Sequence, residues 1–494
     1  MNPVSYVELL RLTLPQIVLT MAAFAVLACD GMLLRHSPLA VRARIAMLIS
    51  LAGTLLALAR LPHAASMHLP GGMLVLDAHT AVVQVVLLLL TLATVLLSGS
   101  VLAAQGREDS AFTTHIGEFF ALLLFATVAV LFLAETQNLL LIFLAIEFLS
   151  LVLYVLTAYN KQSCASAEAA LKYFLFGGMS AGFLLFGISL LYGVSGSLDL
   201  SQIALFSTPP DALLLVALVL VTAGFGFKIA AAPFHLWAPD AYQGAPSLSA
   251  GFIASSSKVA SFFVFAQVLF VALAGVSGQA AWHLSAPGWM PILAAVAVLS
   301  MLLGNLAALV QTSLRRLLAY SAIGHAGYLL LGLIAHTPQS LAALLYYVFT
   351  YALTVLGAFG VLAVLETRGI DSLASLAGLS RRAPLLSACL LVFLLSMAGI
   401  PPLAGFFAKF WLFAAALQAA PSFGLLWLVV LAILMSVVAL FYYLRVLRQV
   451  YVAPPAGDAA PFSSPLLARI TLLVMAVLTL LLGCAPGLLM RWLQ

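Results

Sequence analysis

Apolar segments, each long enough to cross a membrane, follow one another along almost the whole chain. An α-helix needs about 20 apolar residues to cross the hydrocarbon core of a bilayer. Hydrophobic residues make up 65% of the 494 residues, and charged residues only 7%, whereas a soluble domain carries about 25% charged residues. Since a helix in lipid satisfies its own backbone polar groups, the sequence predicts an all-α polytopic membrane protein.

The hydrophobic segments predict about 14 transmembrane helices. They run over 9–29, 43–61, 77–102, 114–134, 137–158, 166–194, 212–232 with an extension to 243, 246–275, 289–311, 315–335, 340–366, 384–418, 423–450 and 465–490. No stretch outside these spans is large enough for a folded soluble domain. We therefore expect one membrane domain over 1–494.

Two of the predicted spans are interrupted by proline, which removes a backbone donor and clashes with the preceding helical turn. Pro233 interrupts the seventh span, and Pro401 and Pro402 interrupt the twelfth. These spans are five apart and cross the membrane in opposite directions. Corresponding broken helices in two halves of a chain indicate an inverted repeat with a functional site at the breaks.

The pattern of spans and breaks divides the chain into four parts. We predict three N-terminal helices in 1–113, a first five-helix repeat in 114–275 (spans four to eight), a second in 289–450 (spans nine to thirteen) and a C-terminal helix in 465–490. Direct sequence similarity between the two repeats is weak, so this division depends on the pattern of spans and breaks.

The loop charges predict the orientation of the chain. Most basic residues lie in or beside loops that follow odd-numbered spans: Arg35, Arg42, Arg44, Arg107, Lys161, Arg315, Arg316, Arg368, Arg381, Arg382, Arg445, Arg448 and Arg469. The opposite side has Arg11, Arg60 and Arg491. Basic residues concentrate in cytoplasmic loops, so both termini are predicted to face the periplasm.

Four lysines lie inside the apolar segments: Lys172, Lys228, Lys258 and Lys409. An ammonium group at mid-bilayer costs roughly 2.5–3.5 kcal/mol on insertion scales. Lysine, unlike arginine, loses its proton readily when it is desolvated. This combination indicates a membrane protein that moves protons through its interior.

Glu147, in the middle of the fifth span, is the natural partner for one of these lysines. Lys228 lies beside the first break, and a neighbouring carboxylate would favour its charged form while desolvation favours the neutral form. A modest change in the geometry of such a pair moves a proton. The alternative is a purely structural ion pair between the two residues.

The other lysines have different surroundings. Lys258 follows three serines, which suit a hydrated path, although serines also pack helices closely. Lys409 lies among aromatic residues in the second broken span and is a plausible terminal proton site; the alternative is a lysine that extends to the interface. Glu168 precedes Lys172 by four residues, so a local salt bridge competes with a role in proton transfer.

Two histidines could connect these sites, because imidazole titrates near neutral pH. His235 follows Pro233 at the first break, and His325 lies in the tenth span between the two lysine-bearing breaks. A lone histidine is equally consistent with a structural hydrogen-bonding group. Asp240, after the first break, is either a capping residue or part of a proton intake; the sequence does not separate these roles.

Several other functions lack their sequence signatures. The four cysteines, Cys29, Cys164, Cys389 and Cys484, form no metal-ligand spacing, and no haem, iron–sulfur, dinucleotide or phosphate-loop motif occurs. No dense basic run with aromatic residues indicates nucleic-acid binding. We therefore expect this chain to bind no cofactor or metal, and any coupled redox chemistry to lie in partner subunits.

Several motifs resemble those of the antiporter-like membrane subunits of respiratory complex I, and the resemblance covers essentially the whole chain. The matching segments are EAALKYF at 168–174, FK at 227–228 through AP at 245–246, SKVA at 257–260, GNLAAL at 304–309 through HAGY at 325–328, and GIPPLAGF at 399–406.

This resemblance implies roles for the matching residues. Glu147 and Lys228 would form the charge pair, with Lys172 modulating Lys228. Lys258 would be the connecting site and Lys409 the outward proton site. The residues that would carry proton transfer are thus Glu147, Lys172, Lys228, His235, Lys258, His325 and Lys409.

The resemblance also implies location and partners. The chain would lie in the bacterial cytoplasmic (inner) membrane, in contact with lipid, a neighbouring antiporter-like subunit M and the small subunits K and J. NADH, FMN, iron–sulfur clusters and quinone would bind to other subunits. The alternatives are a subunit of an Mrp-type cation/proton antiporter and one of a membrane-bound hydrogenase.

Overall fold

The computed structural model describes residues 6–62, 67–104, 115–206, 212–454 and 461–494. Its helices are α1 Tyr6–Ala28, α2 Leu39–Ala59, α3 Ala78–Ala104, α4 Ile116–Glu135, α5 Leu139–Thr157, α6 Cys164–Ser195, α7 Leu200–Ile203, α8 Ala212–Lys228, α9 Trp237–Gly244, α10 Ser247–Ala254, α11 Ser256–Gln267, α12 Trp289–Leu309, α13 Leu314–Ala335, α14 Pro338–Glu366, α15 Leu379–Arg382, α16 Pro384–Ala398, α17 Ala404–Ala419, α18 Leu426–Tyr451, α19 Leu466–Cys484 and α20 Gly487–Met490. Arg107, which contributes to the predicted orientation, lies outside the described residues.

Short β-hairpins and irregular turns occupy parts of the connections. β1 Met67–His68 pairs antiparallel with β2 Val75–Leu76, and β3 Gln279–Ala281 pairs antiparallel with β4 Leu284–Ala286. π-helical turns cover Cys29–Leu33 and Val268–Ala272. Single 3₁₀ turns cover Pro70–Gly72, Ala204–Phe206, Ala274–Val276, Ala374–Leu376 and Pro421–Phe423.

Among the described residues, 12 helical segments are long and apolar enough to cross a membrane. α8, α16 and α17 are apolar but shorter, and they belong to the seventh and twelfth predicted spans. The prediction of a polytopic helical membrane protein is therefore confirmed.

Both predicted interruptions are present. α8 ends at Lys228 and α9 begins at Trp237, while α16 ends at Ala398 and α17 begins at Ala404. Neighbouring side chains satisfy the freed backbone groups: Ser300 Oγ accepts a bond of 2.8 Å from the Ala232 amide. At the second break, the Gly405 amide donates to Ser396 Oγ over 3.1 Å. Irregular backbone at membrane depth requires such partners.

The eighth predicted span contains an interruption that the sequence did not predict. α10 and α11 are separated by Ser255, which has φ −110° and ψ −86°. Its hydroxyl donates to the Gly251 carbonyl over 2.6 Å. Serine bonds of this kind bend helices, and neither proline nor glycine stands next to Ser255 in the sequence. Lys258 lies in the first turn of α11, just after this interruption.

The centre of the molecule consists of α10 with α11, α13 and α14. In each of these three segments, 94% of the most apolar window is buried inside the chain. α12 and α13 approach so closely that a Cβ added to Gly304 would lie 2.4 Å from the Gly324 amide nitrogen. Helices such as α2, α6 and α18 are more exposed, since their windows are only about one-third buried. The central helices carry Lys258 and His325.

Candidate proton-transfer site

Three of the predicted lysines are buried in the protein interior. Lys228, Lys258 and Lys409 are between 1% and 6% exposed. The side chain of Lys172, by contrast, is 40% exposed. The predicted set therefore separates into three interior lysines and one at the edge of the protein.

Lys228 is the last residue of α8, where the negative end of the helix dipole favours a cation. Its Nζ donates to Ser150 Oγ on α5 over 2.8 Å. Glu147 lies one turn before Ser150 on the same helix and is half-buried. The salt bridges within the described ranges do not include Glu147 with Lys228. Thus the sequence identified the two charged groups but not Ser150, which contacts the ammonium.

Backbone and aromatic groups surround Lys258. Its Nζ donates to the Ala322 carbonyl of α13 over 2.6 Å and lies 5.6 Å from the centre of the Tyr351 ring. That ring also packs against His325, with 4.7 Å between the ring centres. Lys258 and His325 therefore share one aromatic neighbour on α14.

His325 lies at the centre of a cluster of hydroxyl groups. Its Nδ1 lies 2.9 Å from Tyr347 Oη, and its Nε2 lies 3.3 Å from Tyr443 Oη. Tyr443 Oη in turn hydrogen-bonds Ser321 Oγ. Each imidazole nitrogen thus has a hydroxyl partner that can either donate or accept. The groups needed to pass a proton through the ring are in place.

Lys409 lies next to this cluster. Its Nζ donates to the Ala398 carbonyl over 3.0 Å, at the C-terminal end of α16, where carbonyls lack a helical partner. It also lies 5.2 Å from the centre of the Tyr328 ring. A cavity of about 10 Å³ is lined by both His325 and Lys409, which is roughly the room that one water molecule needs.

Lys172 takes part in a separate network near the surface. Its Nζ lies 2.6 Å from Glu168 Oε1 and 2.9 Å from Asp240 Oδ2. Asp240 Oδ1 accepts from Arg316 Nη1 over 2.7 Å. The local salt bridge considered from the sequence is therefore formed, and Asp240 extends it to α13.

His235 borders this surface network. It lines a groove of about 660 Å³ together with Lys172, Asp240 and Arg316. It therefore lies with Lys172 rather than with the buried lysines. His325, in contrast, lies between Lys258 and Lys409. The two histidines, which had the same candidate role in the sequence analysis, therefore lie in different parts of the structure.

Sequence reasoning missed the hydroxyl groups of Ser150, Tyr347 and Tyr443, which contact Lys228 or His325, and the ring of Tyr351, which packs against Lys258 and His325. Tyrosine and serine are common in helix interiors, and each contact here joins different helices. A weak signal existed for Ser150, which is three residues after Glu147 and so shares its helix face. The tyrosines had no such signal.

A model of a known transmembrane family, described as NADH:quinone oxidoreductase/Mrp antiporter, matches residues 136–436. The chain belongs to the NADH:quinone oxidoreductase/Mrp antiporter family. All seven predicted site residues lie inside the matched segment. The matched segment also contains both helix breaks.

Individual relatives of this family match the chain over its length. NADH-quinone oxidoreductase subunit N 2 of Acidobacterium capsulatum is 86% identical over 494 residues, which is 100% of both chains. A chain of respiratory complex I from Thermus thermophilus is 35% identical with a TM-score of 0.76, over 97% of this chain and 98% of that one. A chain of the Mrp complex from Dietzia sp. has a TM-score of 0.81 at 21% identity, over 98% and 96%; this last likeness shows the fold alone.

Proposed function

We propose that the chain serves as subunit N of an NADH:quinone oxidoreductase and translocates protons. Quinone reduction by NADH in partner subunits would supply the free energy, so the chain acts as part of an enzyme complex. The observation that carries this proposal is the arrangement of Lys258, His325 and Lys409 around shared tyrosines in the buried centre. Family membership and the strong identity to a subunit N support it.

The proton would pass along the buried groups from Lys228 to Lys409. Lys228, near Glu147 and bonded to Ser150, forms the first site. Lys258 connects it to His325, and His325 passes the proton to Lys409 through hydroxyls and the small cavity. Lys409 then releases it outward. Lys172 and His235, at the edge, would modulate the charge of Lys228 through Asp240.

The architecture of the proposed translocator has 14 spans, when α8 with α9 and α16 with α17 are each counted as one broken span. Spans four to eight and nine to thirteen, 114–275 and 289–450, would form inverted repeats between the N-terminal helices of 1–113 and the C-terminal helix of 465–490. Each break has a lysine beside the C-terminal end of its first half-helix: Lys228 is the last residue of α8, and Lys409 of α17 donates to the Ala398 carbonyl at the end of α16. This correspondence supports the symmetry. The loop charges support periplasmic termini.

Other complex I subunits would be the partners, specifically subunit M and the small subunits K and J. The face of α5 beside Glu147 supports such contacts, because Leu144, Phe148 and Leu151 are exposed there. A carboxylate on a face that points into lipid is costly unless a protein covers it. NADH, FMN, iron–sulfur clusters and quinone would bind to other subunits.

An Mrp-type antiporter or a membrane-bound hydrogenase is the alternative assembly, because the Mrp chain has the same fold. The identity to complex I chains favours the oxidoreductase. The neighbouring genes discriminate between the two: genes for flavin and iron–sulfur subunits support the oxidoreductase, whereas only small membrane subunits would support the antiporter.

The test is proton translocation by the reconstituted complex with Lys228→Ala and Lys409→Ala made separately. Each change removes a buried ammonium and the proton that it carries, so we expect proton translocation and coupled quinone reduction to fall while the complex stays assembled. Lys161→Ala, the same change in an exposed turn, is the matched control. Wild-type translocation in both buried-lysine variants would refute the proposal.

A further inference from the structure

A buried carboxyl group lies away from the lysines, where three helices meet. Glu135 is the last residue of α4 and is only 2% exposed. Gln16 of α1 donates from Nε2 to Glu135 Oε2 over 2.8 Å, and Gln84 of α3 donates from Nε2 to Glu135 Oε1. Both glutamines are buried as deeply as Glu135. Two amides from different helices thus hold one carboxyl group.

Among the described residues, the carboxyl group has no cationic partner. The elements packed against α4 are α1, α2, α3, α5, α11 and the π-helical turn at Cys29–Leu33. Their titratable or charged side chains are Tyr6, Glu8, Arg11, Cys29, Asp30, Arg42, Arg44, His79, Glu147, Tyr154 and Lys258, and α4 itself carries Glu118. In the part of the chain that the structure describes, no recorded hydrogen bond or ion pair joins any of them to Glu135.

Three of the charged groups in these elements have other partners. Arg42 pairs with Asp30 over 2.7 Å, and Lys258 bonds the Ala322 carbonyl. His79 Nε2 lies 3.3 Å from the Leu493 carbonyl. An ionised carboxylate buried in a protein interior is costly without a counter-charge. The simplest counter-charge for Glu135 is a proton on the carboxyl group itself.

The two glutamines can accommodate both protonation states of Glu135. A glutamine amide carries two donors on nitrogen and an acceptor oxygen. With Glu135 ionised, both NH₂ groups donate to it, as in the structure. With Glu135 protonated, rotation of one amide lets its oxygen accept from the carboxyl O–H. The Oε1 atoms of Gln16 and Gln84 are buried and have no hydrogen-bond partner among the described residues, so they are free to do so.

We propose that Glu135, Gln16 and Gln84 form a proton-binding site that is separate from the lysines. Its ligand is a proton delivered by water as hydronium: an O–H bond forms at Glu135, one O–H bond of the donor breaks, and a water molecule remains. Release reverses these changes. The site does not depend on proton transfer through Lys258 and Lys409.

A stripe of buried hydroxyls leads from this site along the interface of α3 and α4. Thr91 Oγ1 and Thr127 Oγ1 lie 3.0 Å apart, two turns along from Gln84 and Glu135. Two turns further, Ser98 and Phe119 line a cavity of about 1140 Å³. Residues seven apart on α3 lie on nearly the same helix face. The buried hydroxyls of Thr91, Thr127 and Ser98 therefore lie between the site and this cavity.

Infrared difference spectroscopy of the full chain in lipid nanodiscs, on transfer from H₂O to D₂O near neutral pH, tests the site. We expect the wild-type chain to show a carboxylic acid C=O band that Glu135→Gln abolishes. The control is Glu118→Gln, because Glu118 is exposed and lies 2.7 Å from His115 Nδ1; that variant should keep the band. A band that persists unchanged in Glu135→Gln would overturn the proposal.

A second variant keeps the test decisive if Glu135→Gln does not fold. Gln84→Met keeps most of the side-chain volume but removes the amide group of Gln84, so the Glu135 band should shift in frequency. An unshifted band would show that the amide does not bind the carboxyl group. Sodium chloride is added to the wild-type chain as a probe: loss of the band would mean that the site binds sodium ions instead of protons, which would also overturn the proposal.

Discussion

At the scale of single residues, the charged groups were predictable and their partners were not. Lysine or histidine in an apolar segment stands out because burial of such groups is costly. Ser150, Tyr347 and Tyr443 do not stand out, because hydroxyl-bearing side chains commonly bond to their own helix. Tyr443 meets His325 across 118 residues of sequence, and no local pattern encodes that contact.

Tyr347→Phe tests the hydroxyl cluster at this scale. The change removes the oxygen that lies 2.9 Å from His325 Nδ1 and leaves the ring. Loss of one hydrogen bond of about 1 kcal/mol corresponds to roughly a fivefold change in rate or equilibrium. We expect proton translocation by the reconstituted complex to fall by about that factor.

The matched control for this change is the neighbouring tyrosine. Tyr346 is also buried, but its hydroxyl donates to the Leu482 carbonyl of α19 over 2.8 Å, away from His325. Tyr346→Phe should leave translocation near the wild-type rate. Equal losses in the two variants would mean that the hydroxyl on His325 has no specific role.

At the scale of helices, the two interruptions that contain proline could be predicted from sequence, and the interruption at Ser255 could not. Pro233, Pro401 and Pro402 cannot continue a helix, so both breaks could be predicted from sequence. Ser255 separates α10 from α11 through its non-helical backbone angles, and serine usually causes no break. The position of Lys258 beside an irregular segment could therefore be found only from the structure.

Gly399→Ala tests how the second break positions Lys409. Gly399 has φ +88°, and an added Cβ would lie 3.1 Å from Lys409 Cδ and 3.4 Å from Lys409 Nζ. A non-glycine residue in a left-handed conformation costs about 1–3 kcal/mol. We expect a lower melting temperature of the purified chain and, in addition, reduced proton translocation.

Gly196→Ala separates these two effects. Gly196 also has a positive φ, +66°, but an added Cβ meets nothing within 4 Å. It should lower the melting temperature similarly while translocation stays at the wild-type rate. If Gly196→Ala reduced translocation as much as Gly399→Ala does, the contact with Lys409 would not explain the loss.

At the scale of the whole molecule, span length and loop charge predicted a polytopic helical fold and an orientation. The close approach of α12 to α13 and the central place of α13 and α14 were not predictable, because all the spans are similarly apolar. In lipid, apolar surface alone does not decide which helices pack together. Close backbone contacts such as that at Gly304 decide which helices pack together, and they are visible only in the three-dimensional structure.

Two natural cysteines allow the orientation to be measured. Cys164 begins α6 and Cys484 ends α19, and both are exposed. With periplasmic termini, Cys164 lies on the cytoplasmic side and Cys484 on the periplasmic side. In intact spheroplasts, a membrane-impermeant maleimide should label only Cys484, and Cys164 should react after the membrane is opened. Cys164→Ser and Cys484→Ser assign the labels. Labelling of Cys164 in intact spheroplasts would reverse the predicted orientation.

The central claim is that the buried lysines and His325 conduct protons, and Lys258 occupies the position on which it depends most. Lys258→Met keeps the length of the side chain but removes the ammonium group that donates to the Ala322 carbonyl. The most direct measurement is the initial rate of proton translocation by proteoliposomes that contain the assembled complex, driven by NADH and quinone. The account predicts a clear loss of translocation with assembly intact, and a wild-type rate in this variant would contradict it.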